Sequence, residues 1–174
     1  MQFIFEHTAG ALLPFLHKAG QHIKNTLSNN VTEIVMHKCK FVLTELCTNG
    51  IKHSGEPQSI FDITISEKTI TIQRTDAGAA FFPATLNPKQ EASPNQSQGI
   101  ITLSEDDINR LNMQPIDSKT VRFFVDEVPS TSKKNSPTLG EHFGLIIICQ
   151  SSNNFTYTRL ANGENQFRVS IALA

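Results

Sequence analysis

Glu45, Asn49 and His53 recur every four residues between Lys40 and Ser54, with apolar residues filling the positions between them. On an α-helix that interval stacks side chains along one face. A carboxylate, an amide and an imidazole would therefore share one polar stripe on an otherwise buried helix. Polar stripes ordinarily face solvent; the strongly apolar neighbours place this one at the border of a cavity. Magnesium favours near-octahedral oxygen donors and keeps several waters, so one amide oxygen with three phosphates is a sufficient set. Asn49 can supply that oxygen. Glu45, one turn earlier, would lie near a terminal phosphate and could orient or deprotonate an attacking hydroxyl. Lys52, one turn beyond Asn49, reads either as a phosphate contact or as a solvated surface charge.

A second cluster, Asp76-Ala-Gly-Ala-Ala-Phe-Phe-Pro83, directly follows an expected strand. Asp and Gly are turn residues, so an ordinary turn is the plain alternative. The chemical reading is adenine recognition. A carboxylate accepts from the exocyclic amine in a charge-assisted bond worth roughly 1.5–3 kcal/mol, and Gly78 lets the backbone approach the base. A third cluster, Gly140-Glu-His-Phe-Gly144-Leu145, precedes an apolar helix, where glycine-exposed backbone amides favour phosphate. A loop glycine before a helix is equally common. Gly99-Ile-Ile is a rival position, but only Gly144 has a short helix and a closing hairpin after it.

The elements that must position these groups follow from periodicity. Gln2 to His7 reads as a short strand, and Ala9 to Leu27 as an amphipathic helix with Leu12, Leu13, Leu16, Ile23 and Leu27 along its apolar stripe. Pro14 sits in its first turns, where a missing donor is tolerated. Val31 to His53 is the longest helical stretch. Ile34, Val35, Val42, Leu43, Leu46 and Ile51 are expected in the core, with Lys38, Lys40 and Thr44 outside, and Gly55-Glu-Pro57 ends it. Phe61–Ile65 and Thr69–Gln73 alternate around Ser66-Glu-Lys68, which predicts a hairpin. Asn87 to Gln98 is expected as loop, and Ser104-Glu-Asp-Asp107 as a capping box opening a short helix through Leu111. Thr120 to Asp126 reads as a strand, and Ser130 to Thr138 is polar. Leu145-Ile-Ile-Ile-Cys149 begins a short helix. Asn154–Arg159 and Gln166–Leu173 close the chain as a hairpin across Asn162-Gly163.

At 174 residues the chain fits a single domain over 1–174, with a partly ordered, mobile insertion or lid at about 84–139. A formal charge of −1 gives no basic field, which argues against nucleic-acid binding. No apolar run approaches the roughly 20 residues of a membrane helix, and the first residues do not read as a signal peptide. Cys39, Cys47 and Cys149 sit inside apolar patterns without zinc-ligand spacing, as expected of buried free thiols in a reducing cytoplasm.

At these residues the chain resembles the GHKL superfamily of ATPases and kinases, and within it the anti-sigma-factor serine/threonine kinases. Their helix motif, E-x-x-x-N-A-x-x-H, is matched by Glu45, Asn49 and His53, with Gly50 at the alanine. Their D-x-G-x-G-F-D-P motif is matched by Asp76, Gly78, Phe81 and Pro83, with Ala80 at the second glycine and Phe82 at the second acidic residue. Of their G-x-G-L motif, Gly144 and Leu145 are present, His142 stands at the first glycine, and Gly140 is two residues early. Asn165 falls in the closing segment where a threonine or asparagine is frequent. The resemblance covers Gln2–Pro83 and Gly140–Leu173. It implies an α+β two-layer sandwich of the Bergerat ATP-binding type, a mixed, mostly antiparallel sheet with helices on one face. It also implies ATP and Mg2+ as ligands. Glu45 would be the base, Asn49 the metal ligand, and Asp76, Gly78, Ala80 and Phe81 the adenine wall. Lys52 and His53 would assist, and Gly144 with Leu145 would close over phosphate. The implied partners are an anti-anti-sigma (STAS-type) protein and a sigma factor, with a homodimer left open. The rival expectation is a non-catalytic interaction module of the same fold that has weakened or lost ATP binding.

Overall fold

The computed structural model describes residues 1–27, 31–81, 99–128 and 142–173. Its elements run β1 (Gln2–Glu6), α1 (Ala9–Leu27), α2 (Glu33–His53), β2 (Gln58–Ile65), β3 (Thr69–Asp76), β4 (Ile101–Glu105), β5 (Asn109–Pro115), β6 (Thr120–Glu127), α3 (Phe143–Ser151), β7 (Asn154–Arg159) and β8 (Asn165–Ala172). The eight strands form one open sheet in the order β1-β2-β3-β8-β7-β6-β5-β4. Every neighbouring pair is antiparallel. The chain is therefore α+β, and among the described residues the sheet is antiparallel throughout rather than mixed. The α1–α2 hairpin explains the first pair, since two successive helices return the chain to the end of β1 from which β2 must run backwards.

Period-two alternation sets the core. On β3, Ile70, Ile72, Arg74 and Asp76 are buried while the residues between them are half-exposed. Phe61 and Ile63 of β2 and Phe167, Val169 and Ile171 of β8 point the same way. Against this face pack Phe15, Ala19 and Ile23 of α1, and Val35, Cys39, Val42, Leu43, Leu46 and Cys47 of α2. Phe15 lies between Phe5 and Phe61, with ring centroids 5.0 and 4.8 Å away. Thr32 caps α2 by accepting from the Val35 amide at 3.3 Å, and Gly55 follows the helix with φ 72°.

Several expectations are corrected. Leu13 is 74% exposed and Ile34 is 69% exposed. The apolar stripe of α1 centres on Phe15, and that of α2 runs through Val35, Cys39, Val42, Leu46 and Cys47, which leaves Ile34 about 100° off the buried face. Lys38 and Thr44 are half-buried rather than outside. The expected helix from Ser104 is absent, and a β4–β5 hairpin stands there instead. The Asp106 carboxylate accepts from the Ile108 and Asn109 amides at 2.7 and 2.6 Å, closing a turn where a helix cap was expected. Gly99, with φ 89°, precedes β4 and no helix. Within the expected insertion, residues 99–128 form three strands that continue the main sheet beyond β7. Asn87–Gln98, Ser130–Thr138, Phe82, Pro83 and Gly140 lie outside the described residues. No helix among the described residues is long and apolar enough to cross a membrane.

Candidate functional site

α2 carries the polar stripe from Glu45 to His53, whose ends are about 12 Å apart along the helix axis. At the His53 end, β3 delivers Asp76 inward beside the last turn of α2. A hollow of about 260 Å3 opens there, lined by Asn49 and His53 of α2, Asp76 at the end of β3, Ala80 and Phe81 beyond it, and Leu145 of α3. Ser54, Arg74, Ala79, His142, Asn165 and Phe167 complete its wall. This lies just below the roughly 300–1,000 Å3 of ordinary small-molecule pockets, enough for a base and part of its sugar.

The wall formed by residues 76–81 is held by Asn165, which pairs with Asp76 in the β3–β8 register. Asn165 Nδ2 donates to Asp76 Oδ1 at 3.0 Å, to the Gly78 carbonyl at 3.1 Å and to the Ala79 carbonyl at 2.9 Å. Its Oδ1 accepts from Arg159 Nη1 at 2.6 Å and from the Tyr157 hydroxyl at 2.9 Å. The Phe81 amide in turn donates to the Tyr157 hydroxyl at 3.2 Å, and the Phe81 ring stands edge-on to Phe167 at 5.3 Å. Gly78 is required for a reason other than base contact: a Cβ there would collide with the Ser54 carbonyl oxygen at the end of α2.

Arg74 is the residue that most changes the chemistry. Its Nη2 donates to Asp76 Oδ2 at 2.5 Å, with side chains 3% and 1% exposed, and its Nη1 donates to the Leu46 carbonyl at 3.2 Å. The guanidinium also lies over the Phe167 ring at 5.3 Å. Gly50 makes the room, because a Cβ there would come within 3.3 Å of Arg74 Cζ and 2.8 Å of His7 Nε2. Burial lowers the guanidinium from its ordinary range, and the Asp76 charge works against that. Arg74 Nε is the one buried side-chain polar atom without a hydrogen-bond partner among the described residues. Asp76 thus accepts from Arg74, from the Gly78 amide at 3.0 Å and from Asn165. A carboxylate offers about four acceptor positions, so one remains.

At the other end of the stripe, Glu45 and Asn49 meet the start of α3. A Cβ on Gly144 would lie 2.5 Å from Glu45 Oε2 and 3.7 Å from Asn49 Oδ1. The glycine therefore gives a carboxylate access to a helix N-terminus that carries no side-chain cap, where its negative charge suits the helix dipole. Leu145 is 4% exposed and borders the hollow. His53 is exposed at the rim and lines it, whereas Lys52 is exposed and is not among the lining residues. No group of three or more His, Cys, Asp or Glu side chains among the described residues could hold a metal ion.

The structure thus brings Asn49, His53, Asp76, Ala80, Phe81 and Leu145 around one hollow, with Glu45 and Gly144 together at its α3 end. Arg74 was missed, although its place in the β3 alternation with Ile70, Ile72 and Asp76 marks it as buried. Asn165 was noticed only as a frequent residue type. Neither a protein-family model nor a curated protein sequence matches this chain.

Proposed function

We propose that the hollow binds ATP with Mg2+ on a Bergerat-type fold, and that the chain is a serine/threonine kinase of the anti-sigma type. Its substrate would be a serine of a small anti-anti-sigma (STAS-type) domain, and a sigma factor would be its second partner. Convergence carries this reading: three motifs far apart in sequence meet at one hollow and its edge, through Asn49 and His53, through Asp76 and Phe81, and through Gly144 and Leu145. Ala80, Phe81 and Leu145 would bind the base, and the remaining acceptor position of Asp76 would read its amine. Asn49 would hold the magnesium ion, which needs few protein ligands when phosphates supply the rest. Glu45 would take the proton of the serine hydroxyl as the new oxygen–phosphorus bond forms and ADP departs.

Calorimetric titration with ATP and magnesium tests the reading. Saturable binding that weakens at least about tenfold in Asn49→Ala is expected, the loss of a single charge-assisted contact. Absence of heat at millimolar nucleotide would end it.

A second reading, a non-catalytic module of the same fold, draws on the Asp76 carboxylate, whose side chain is 1% exposed and already engaged by Arg74 and Asn165. ATP binding without phosphate transfer to any partner protein would favour that module.

A further inference from the structure

β6 is paired further along one side than along the other. It follows β5 as far as Glu127, but follows β7 only from Thr120 to Phe123. β7 starts at Asn154, just after α3 ends at Ser151, so among the described residues no strand lies beside β6 beyond that point. A second hollow of about 470 Å3 opens in this gap. It shares no lining residue with the first: α3 gives Leu145 to one, and Cys149 and Gln150 to the other.

The hydrogen-bond phase of β6 determines what the gap offers. The Val128 amide donates to the Ile108 carbonyl at 2.9 Å and the Ile116 amide to the Thr120 carbonyl at 2.8 Å, so even-numbered residues bond β5. The Arg159 amide donates to the Lys119 carbonyl at 2.9 Å, so odd-numbered residues face β7. By antiparallel alternation the amides and carbonyls of Val125 and Glu127 point into the gap. Among the described residues neither finds a backbone partner there. Charge is ordered along the same line. Arg122 and Glu127, both exposed, line the hollow at the β7 end and the far end, with Phe124, Val125 and Ile108 as apolar surface.

We infer that the gap receives the C-terminal tail of a partner protein, added to β6 as an antiparallel strand in line with β7. Strand addition takes its affinity from main-chain bonds, here to Val125 and Glu127, and its selectivity from alternate side chains. The β6–β7 register puts Asn154 opposite Phe124, so an added strand running toward β7 meets it end-on. A chain that stops there needs no bend, and its free carboxylate lies toward the Arg122 guanidinium. The residue opposite Glu127 is the third from the end, and a basic side chain there meets the carboxylate on the same face. An apolar last residue faces Val125. A parallel strand would bring its C-terminal end to Glu127 instead, so charge selects the antiparallel direction. This inference does not depend on the nucleotide reading.

Fluorescence anisotropy of the full chain with an N-terminally labelled peptide, Gly-Ser-Gly-Lys-Thr-Val with a free C-terminus, tests it. Saturable binding is expected. Amidating the peptide's C-terminus, or Arg122→Glu in the protein, should each weaken it at least about tenfold. Val125→Pro removes only a gap-facing donor, since the Val125 amide does not bond β5, and should do the same while circular dichroism stays unchanged. Bound peptide should also slow alkylation of Cys149, which lines the gap. No binding at millimolar peptide, equal affinity for the amidated form, or indifference to both protein variants would each overturn the inference.

Discussion

Arg74 and Asp76 sit two residues apart on the same face of β3 and form an ion pair, Nη2 to Oδ2 at 2.5 Å, under the polar stripe of α2. Placing two charges in a site this dry is costly, and their attraction offsets that cost only while both are present. Arg74→Met should therefore destabilise the fold by about 3–5 kcal/mol. Adding Asp76→Asn should recover part of that loss, because the uncompensated charge is gone. Urea unfolding of the two single variants and the double variant measures the coupling, and strict additivity would show that the pair is not the reason for the loss.

Asn165 holds the 76–81 wall while Phe81 and Ala80 line the hollow. Asn165→Ala should cost about 1–3 kcal/mol, the penalty for leaving buried carbonyls and a carboxylate without their donor. It should also lower nucleotide affinity, read by the same urea titration and by calorimetry. Unchanged affinity with lowered stability would confine Asn165 to a structural part.

The two site glycines should respond differently to alanine. At Gly78 the added methyl meets the Ser54 carbonyl, a backbone atom at a helix end, so about 1–3 kcal/mol of overpacking cost is expected. At Gly144 it meets the end of the Glu45 side chain, which can swing away. Gly144→Ala should thus shift stability by no more than about 0.5 kcal/mol while slowing phosphate transfer to the partner serine. Equal stability losses at both positions would contradict this assignment.

How much of this was legible beforehand differs by element. The β2–β3 hairpin, α2 and the closing hairpin announced themselves through strict periodicity and through Asn162-Gly163, where Gly163 has φ 84°. The β4–β5 hairpin did not, because an aspartate before two amides closes a turn with the same hydrogen bonds it would use to cap a helix. Arg74 was legible in principle, since Ile70-Thr-Ile-Gln-Arg-Thr-Asp76 alternates cleanly and places it inward. A charged residue on a core face invites the assumption that the strand ends before it. The contact between Gly144 and Glu45 joins positions far apart in sequence, and no local pattern could reveal it.

His7 should make stability depend on pH. Burial lowers its pKa from the ordinary 6.5, with the Glu56 carbonyl working the other way and Arg74 adding to the lowering. Nδ1 lies 2.6 Å from the Glu56 carbonyl and Nε2 3.0 Å from the Ser59 hydroxyl. Between the folded value and 6.5 the unfolded chain binds the proton that the native chain refuses, so stability rises with pH across that window and is lost on acidification. His7→Gln should flatten this slope in urea midpoints measured across it. An unaltered slope would assign it elsewhere, with His22, also lowered by burial, as the next group to test.

The two buried thiols of α2 should be inert in the native state. Burial pushes Cys39 and Cys149 up to about 12 and raises Cys47 as well, and the thiolate is the reactive form. Cys149, expected in the core, is only half-buried on α3. Iodoacetamide at mildly alkaline pH should therefore reach it first and leave Cys39 and Cys47 unlabelled until urea unfolds the chain, as read by intact mass. Rapid native labelling of Cys39 or Cys47 would contradict the burial of α2.

The central claim is that one hollow between α2, the exit of β3 and the start of α3 receives a nucleotide. Amide chemical shifts recorded during titration with magnesium and ATP test it most directly. The account predicts saturable shifts concentrated at Asn49, His53, Gly78, Ala80, Phe81, Gly144 and Leu145. Shifts confined to other surfaces, or none at millimolar nucleotide, would contradict it.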